Sequence, residues 1–95
     1  MKVVWSDRAV RSLADIHLRI AEESHDVANR VVDAILRRGD SLADFPDLGR
    51  AVDRYRRLGV RELIEAPYRI VYRRTRNVMQ VIDIFHSSQL PPWER

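Results

Sequence analysis

Arginine is the residue type of this sequence with the clearest capacity for chemistry. Residues 50–76 contain nine basic side chains, all arginine, and three acidic ones, whereas residues 1–49 contain seven and nine, and residues 77–95 contain one and two. A guanidinium group contacts carboxylates and phosphates bidentately and stacks on aromatic rings. A coding preference for arginine over lysine explains the residue type but not this clustering. The middle segment therefore predicts an anionic partner, either nucleic acid or an acidic protein segment.

Few other groups in the sequence could catalyse a reaction. There is no cysteine, and the three histidines, His17, His25 and His86, lack the spacing of a helical pair of metal ligands. We therefore expect no metal, no cofactor, no disulfide and no thiol chemistry. His86 ends a predicted strand, where a hydrogen-bonding role is more common than general acid–base catalysis. His17 and His25 are expected on exposed helix surfaces.

The segment Tyr68–Arg73 must position part of the positive charge. Its aromatic and β-branched residues alternate with arginines, a pattern typical of a strand with one apolar face and one basic face. The even-numbered residues from Tyr68 to Tyr72 are expected to face the core, and the odd-numbered residues from Arg69 to Arg73 to face the other way. We assign the arginine face to solvent or to a partner.

Two helices are predicted before the basic segment. Ser6 is expected to cap the first helix, whose apolar residues recur at helical spacing through about Glu22. Ser24 is expected to cap the second helix, which continues at helical spacing as far as Phe45 and Pro46. Because only a short turn separates them, the two helices should form a helical hairpin.

Four strands complete the predicted fold, at Lys2–Trp5, Leu58–Ile64, Tyr68–Arg74 and Val78–His86. The connections between the last three are short enough for antiparallel hairpins. The predicted class is α+β in the order β-α-α-β-β-β, with an antiparallel-dominated sheet packed on the helical hairpin. Since a helical hairpin covers one face of a sheet, the other face is expected to be partly open.

Length and composition predict a single domain over residues 1–95. A domain of this size buries only about 60 to 65% of the surface of its unfolded chain, so a modest core is expected. No stretch approaches the roughly 20 apolar residues of a membrane span. The first residues pass into Ser6 and Asp7 without the apolar core of a signal peptide. We expect a cytoplasmic protein without membrane association.

Several motifs occur along the chain in an order known from one family. They are Trp5 and Ser6 followed by Ala9 and Leu13, the paired helices, the turn with Pro46, Gly49 and Arg50, the strand with Arg61, the segment from Tyr68 to Tyr72, and the run Val81–His86. In order and spacing this set resembles the toxins of the ParE and RelE superfamily, from bacterial type II toxin–antitoxin pairs. The resemblance covers nearly the whole chain. It implies the α+β fold described above and an antitoxin protein as partner.

The RelE branch of that superfamily cleaves messenger RNA on the ribosome without a metal, using basic residues near the 2′-hydroxyl and the phosphate. For a nuclease of this kind the resemblance implies three catalytic residues: Arg61, Arg69 and His86. However, Val60, Glu62 and Ser88 stand where that branch has basic residues, and Glu62 would repel phosphate. A RelE-like messenger endoribonuclease is therefore the alternative function.

The ParE branch inhibits DNA gyrase by trapping the enzyme on broken DNA, and it is not known for catalysis of its own. The Pro46–Arg50 turn, the Tyr68–Arg73 strand and the strand-final His86 resemble this branch more closely. The predicted function is therefore a toxin that inhibits gyrase by binding and is neutralised by a cognate antitoxin. That branch often continues the histidine as His-x-x-Arg, and Gln89 takes the place of the arginine here. An inactive member that only binds its antitoxin is the third possibility.

Two sets of contact residues follow from the resemblance and from the charge pattern. Target binding is predicted for Arg69, Arg73, Arg74, His86 and Trp93. Antitoxin binding is predicted for Val10, Leu13, Leu18, Arg50 and Arg61, because an acidic amphipathic segment would suit an apolar helix face beside basic side chains. Alternatively, Arg50 and Arg61 could form surface ion pairs with Asp53 or Glu62, each contributing about 0 to 1 kcal/mol. Trp93 could instead anchor the C-terminal segment.

Overall fold

The computed structural model describes all 95 residues and confirms the α+β class. Two helices, α1 (Asp7–Ala21) and α2 (His25–Asp40), lie between the first two of five strands. The strands are β1 (Lys2–Trp5), β2 (Arg50–Ala51), β3 (Val60–Glu65), β4 (Tyr68–Arg74) and β5 (Val78–His86). They form one sheet in the order β1-β5-β4-β3-β2, in which β1 pairs with β5 in parallel and all other pairs are antiparallel.

Both predicted helix caps are present. The hydroxyl of Ser6 accepts a hydrogen bond from the amide of Ala9 at 3.0 Å, and that of Ser24 accepts from the amide of Val27 at 3.2 Å. Each serine thereby satisfies one of the free amides in the first turn of its helix. No helix in the structure combines the length and the apolar character that crossing a membrane requires.

The second helix ends earlier than predicted. It stops at Asp40 and continues as a short 3₁₀ helix, Ser41–Ala43, instead of reaching Phe45 and Pro46. The Ser41 hydroxyl donates to the carbonyl of Arg38 at 2.6 Å, a back-bond that competes with the regular helix ladder. The last turn therefore tightens before the proline.

The helical hairpin covers one face of the sheet and forms the main core. A cluster of 11 buried residues joins both helices to β3, β4 and β5. Its completely buried members include Ile35 of α2, Ile70 and Tyr72 of β4, and Val81 of β5. Tyr72 therefore lies in the core, as its place in the alternating pattern predicted.

A β-bulge in β5 attaches α1 to the sheet. Val71 pairs with Asp83 and Tyr72 pairs with Val81, so Ile82 is an extra residue on β5. The carboxylate of Asp83, which is 3% exposed, accepts hydrogen bonds from Ser12 of α1 at 2.6 Å and from the amide of Ile84 at 2.8 Å. The buried charge is thus satisfied by the helix that packs over it.

The other face of the sheet is more covered than predicted. Val60, Val71 and Phe85 are buried there, although alternation placed Val71 on a face assigned to solvent or a partner. The cover consists of two 3₁₀ helices, Asp53–Leu58 and Pro92–Glu94, which contribute Tyr55 and Trp93. The assignment of this face to solvent or a partner is therefore wrong for the positions of Val60, Val71 and Phe85, which the protein itself covers. Short 3₁₀ helices have no amphipathic period that a sequence pattern could show.

The start of β3 is also later than predicted. Leu58 belongs to the 3₁₀ helix, and the strand begins at Val60. Gly59 separates them with a φ of 71°, a left-handed conformation that commonly ends a helical segment and that glycine adopts without strain. The predicted strand began two residues too early because Leu58 is apolar and fits the strand pattern. A residue pattern does not show the change in backbone direction at Gly59.

Candidate functional site

The turn from Pro46 to Arg50 is held in place by Tyr72. The phenol donates a hydrogen bond to the carbonyl of Pro46 at 3.1 Å and accepts one from the amide of Gly49 at 2.8 Å. A side chain at position 49 would lie 2.5 Å from the carbonyl oxygen of Glu62, so only glycine allows this approach to β3. The turn from Pro46 to Arg50 therefore positions Arg50 in β2, which is an edge strand of the sheet.

Burial controls the protonation of Tyr72. Desolvation raises the pKa of its phenol above the ordinary value of 10.0, and the hydrogen bond from Gly49 together with the charge of Arg61 offsets only part of this rise. The phenol is therefore protonated at neutral pH and can donate to the Pro46 carbonyl. This tyrosine has a structural role, which agrees with the prediction that the strand tyrosines are core residues.

A buried carboxylate lies between two arginines at the end of that turn. Glu62 is 7% exposed, and its Oε1 accepts hydrogen bonds from Arg50 Nε at 3.0 Å, Arg50 Nη2 at 2.8 Å and Arg69 Nη1 at 2.6 Å. Charge-assisted bonds of this length are strong, and removal of either arginine would leave a buried charge with fewer partners. Of the acids considered from the sequence, Glu62 is thus the partner of Arg50. Only the carboxylate of this pair is buried, since the side chain of Arg50 is 68% exposed.

These residues line a polar groove of about 840 Å³ on the face of the sheet that carries the 3₁₀ helices. We call it the arginine groove; its arginines are Arg50, Arg56, Arg61 and Arg69. Arg56 is paired with Asp53, while Arg61 donates to the Gly49 carbonyl at 2.7 Å and lies 3.8 Å from Asp47. Every guanidinium group of the groove therefore has an acceptor within the protein.

The sequence pattern did not predict that Glu62 is the shared acceptor of Arg50 and Arg69. Its pairing with Arg50 depends on β2, which places these two residues opposite each other in an antiparallel register. A strand of two residues is too short for a periodic signal. The charges alone offered Arg50 either Asp53 or Glu62 as a partner, because composition does not define a register.

His86 is engaged by the turn that follows β5. Its Nδ1 accepts from the amide of Ser88 at 3.0 Å and lies 2.7 Å from the hydroxyl of the same serine. Because an amide can only donate, the neutral ring carries its proton on Nε2. The side chain of Gln89 accepts from the His86 amide at 3.0 Å, so the residue that replaces the expected arginine closes this turn. The His86 ring also packs edge-on against Tyr68, with centroids 5.4 Å apart.

The structure divides the predicted target-binding residues between two ends of the sheet. Tyr68 pairs with His86 and Arg69 with Phe85, which in turn packs against Trp93. Arg73 and Arg74 lie at the opposite end of β4, about 13 and 17 Å from Arg69 at the usual rise per residue. Arg73, Arg74 and Arg69 therefore do not form one compact site.

The two arginines at the far end differ from those of the groove. Neither Arg73 nor Arg74 forms an ion pair. Arg74 is exposed, and the half-buried Arg73 has an Nε without a hydrogen-bond partner. Their positive charge is thus not neutralised within the protein, in contrast to that of Arg69.

The predicted antitoxin-binding residues also separate. Val10 and Leu18 are 53% and 66% exposed on α1, and Arg50 and Arg61 line the arginine groove. Leu13 is 8% exposed and belongs to the main core, so it has little surface to offer an antitoxin, and its predicted contact stays untested. The wide apolar stripe of α1 contained both core and surface positions, because residues 13 and 18 point to different sides of a helix.

Comparison with known protein families agrees with this architecture. The sequence model of one protein family, described as the ParE toxin of the type II toxin–antitoxin system, parDE, matches residues 3–91. The chain belongs to the ParE toxin family. This confirms the resemblance to the ParE branch, and it makes the protein a toxin of a type II toxin–antitoxin system. Membership of the ParE family also implies an antitoxin partner.

Two relatives extend over nearly the same length as this ParE-family chain. A protein of Sinorhizobium fredii, Y4kP, named as a candidate toxin, is 37% identical over 93 residues, which cover 96% of this chain and 93% of the relative. Toxin RelE2 of Caulobacter vibrioides is 31% identical over 90 residues, covering 94% and 98%.

A solved structure supports the fold of this ParE-family chain. A chain of the chromosomal ParDE TA system from P. aeruginosa superposes with a TM-score of 0.75 at 22% identity, covering 90% of this chain and 95% of that one. The similarity confirms the α+β arrangement.

Proposed function

We propose that this ParE-family toxin inhibits DNA gyrase by binding and that a cognate antitoxin neutralises it. The observation that carries the proposal is the internal pairing of the arginines that a ribonuclease would need. Arg69 donates to the buried Glu62 at 2.6 Å, and Arg61 donates to the Gly49 carbonyl at 2.7 Å. Phosphodiester cleavage requires cationic groups aimed at the charge that develops on the phosphate. Because Arg61 and Arg69 already bond to acceptors within the protein, the arrangement favours a function without catalysis.

The state of His86 supports the same proposal. A general base must have a nitrogen free to take a proton from the attacking hydroxyl. The Nδ1 of His86 is occupied by Ser88, and its ring lies against Tyr68. The phenol of Tyr72 is likewise unavailable for proton transfer, because it is buried and donates to the Pro46 carbonyl.

Free positive charge at the far end of β4 is the surface that we propose for the target. Arg73 and Arg74 have no internal ion pair, so their charge is available to an acidic surface of a partner. Arg69, His86 and Trp93 stay predictions as further target contacts, tested by the same assay. For the antitoxin, we propose contacts with Val10 and Leu18 on α1 and with Arg50 and Arg61 in the groove.

Messenger cleavage is the second candidate, because one relative is named toxin RelE2. The third candidate is an inactive member that only binds its antitoxin, and it depends on Gln89 in place of the arginine. A cytoplasmic location, where both gyrase and ribosomes are found, fits each of the three candidates. The candidates differ in one measurable product: broken DNA, broken messenger, or neither.

The test combines purified gyrase and supercoiled plasmid with and without this protein, beside a translation reaction scored for messenger cleavage. We expect trapped DNA cleavage and loss of supercoiling activity, with intact messenger. Messenger cleavage with normal gyrase would overturn the proposal and assign catalysis to Arg61, Arg69 and His86. No effect in either reaction, together with capture of the antitoxin, would assign the protein to the inactive class.

A pair of matched variants then tests the proposed target surface. Replacement of Arg73 and Arg74 by alanine should raise the concentration needed for gyrase inhibition roughly tenfold, as for the loss of an energetically important contact. The control replaces Arg30 and Arg37, which are exposed on α2 and carry the same charge. Equal inhibition by both double variants would remove Arg73 and Arg74 from the proposal.

A further inference from the structure

The arginine groove contains acidic side chains of two kinds. Four arginines line it together with Asp53, Glu62 and Glu94. Asp53 and Glu94 are exposed at its margin, whereas Glu62 is buried beneath the guanidinium groups. A buried carboxylate in the middle of a basic groove needs a physical explanation, because burial of a charge is unfavourable unless it is compensated.

The geometry around Glu62 is that of an occupied anion site. Arg50 donates hydrogen bonds from both Nε and Nη2 to Oε1 of Glu62. These two N–H groups form the fork with which arginine recognises an oxyanion. Arg69 contributes a third donor to the same oxygen at 2.6 Å. The position between two guanidinium groups that a phosphate would take is therefore filled by a side chain of the protein.

We propose that Glu62 is the specificity-determining residue of the arginine groove and that it excludes nucleic acid from it. The carboxylate occupies the phosphate position between Arg50 and Arg69, and it repels any phosphate that approaches these arginines. Selectivity is thereby achieved by a repulsive element placed against the wrong partner. This inference rests on the proposed function in one respect: the target of the toxin is a protein and not a nucleic acid.

The charge of the groove has a direct consequence for binding. Four arginines without Glu62 would form a track of positive charge of the kind that binds single-stranded nucleic acid. With Glu62 in place, two of them share one negative charge, and the other two bond to Asp53, Asp47 and a backbone carbonyl. Neutralisation of Glu62 should therefore release Arg50 and Arg69 for phosphate.

The experiment measures binding of a labelled single-stranded RNA of roughly 12 nucleotides by fluorescence anisotropy, at several salt concentrations. The variant Glu62→Gln keeps the shape of the side chain and removes its charge. We expect its affinity to exceed that of the unchanged protein by about tenfold, and the slope of log affinity against log salt to steepen by roughly 0.7 for each phosphate gained.

Two control variants separate local exclusion from net charge. Glu94→Gln removes the same charge from the margin of the same groove, where the carboxylate bonds no arginine, and should change the affinity less than about twofold. Glu62→Asp retains the charge and should bind RNA as weakly as the unchanged protein. Equal gains for Glu62→Gln and Glu94→Gln, or no gain for either, would refute the proposal.

A second variant tests the proposal without any change to Glu62. Arg50→Gln should leave the weak RNA affinity unchanged, because Arg50 is already committed to Glu62. A clear loss of RNA binding in this variant would show that the groove binds phosphate despite Glu62, and this too would refute the proposal. RNA binding is measured without gyrase, so its outcome is independent of whether the protein inhibits gyrase.

Discussion

The two faces of the sheet are covered by elements of very different size. On one face, α1 and α2, with 15 and 16 residues, build a core of 11 buried residues. On the other, 3₁₀ helices of six and three residues cover a cluster in which only three residues are buried. The aromatic rings of Tyr55 and Trp93 belong to that cover, with centroids 5.7 Å apart.

The difference separates the part of the molecule that contributes most to stability from the part that carries the arginine groove. Long amphipathic helices bury a continuous apolar stripe, and the free energy of folding depends mainly on such burial. The opposite face combines a small apolar cluster with the arginine groove, whose side chains are held by ion pairs. The helix-covered face therefore determines whether the chain folds. We propose that the groove face determines which charged partners the sheet accepts.

The strongest test of this comparison is a truncation in the helix-covered core. Ile35 is completely buried, and Ile35→Ala should lower the free energy of unfolding by about 2 to 5 kcal/mol through lost burial and a new cavity. Urea denaturation followed by circular dichroism measures the change. As a control on α2, replacement of the exposed Arg37 by alanine should stay within about 0.5 kcal/mol. If Ile35→Ala lowers the free energy of unfolding by less than Trp93→Ala on the groove face, the assignment of stability to the helix-covered face is wrong.

A truncation on the groove face should cost less. Trp93 packs edge-on against Tyr55 and Phe85 and is only partly buried, so Trp93→Ala should lower the free energy of unfolding by about 1 to 2 kcal/mol. The same urea titration applies. Leu90→Ala is a matched control, because Leu90 lies three residues earlier and is 59% exposed. If Trp93→Ala has no more effect than this control, Trp93 does not anchor the C-terminal segment.

The smallest expected effect concerns the core residue Tyr72 and appears only at high pH. The raised pKa of Tyr72 means that the folded protein keeps the phenolic proton to a higher pH than the unfolded chain does. Its contribution to stability is therefore complete below pH 10.0 and is lost as the pH rises above that value toward the folded pKa.

The pH prediction is measured as the free energy of unfolding between about pH 8 and pH 11.5, across the ordinary range of tyrosine titration. The unchanged protein should lose stability above pH 10.0 more steeply than the variant Tyr72→Phe, which lacks the titrating group. Other groups that titrate in this range are common to both proteins. Identical slopes would mean that the burial of Tyr72 does not affect its protonation.

Sequence patterns predicted the long elements well and the short ones poorly. Both helix caps, the positions of α1, β1, β4 and β5, and the antiparallel character of the sheet are confirmed. The two-residue β2 and the 3₁₀ helices were missed, because fewer than about two periods of a pattern cannot be distinguished from chance. The β-bulge at Ile82 was missed for a related reason: alternation is a local property, whereas a bulge is defined by the partner strand.

The candidate site was predicted in its composition but not in its geometry. The arginine cluster, the Pro46–Arg50 turn and the core position of Tyr72 followed from residue types and spacing. The pairing of both Arg50 and Arg69 with one buried carboxylate, that of Glu62, did not, and neither did the separation of Arg73 and Arg74 from Arg69. Each of these depends on which residues from distant parts of the chain come together.

The sequence by itself determined the class of fold, the family and the excess of positive charge in residues 50–76. These properties depend on local periodicity, on motif order and on composition, all of which are present before the chain folds. Only the tertiary structure decided which of those charges are free. An arginine is neutralised when strand pairing brings a carboxylate within hydrogen-bonding distance, as for Arg50 and Arg69 at Glu62, and it stays available where none is near, as for Arg73 and Arg74.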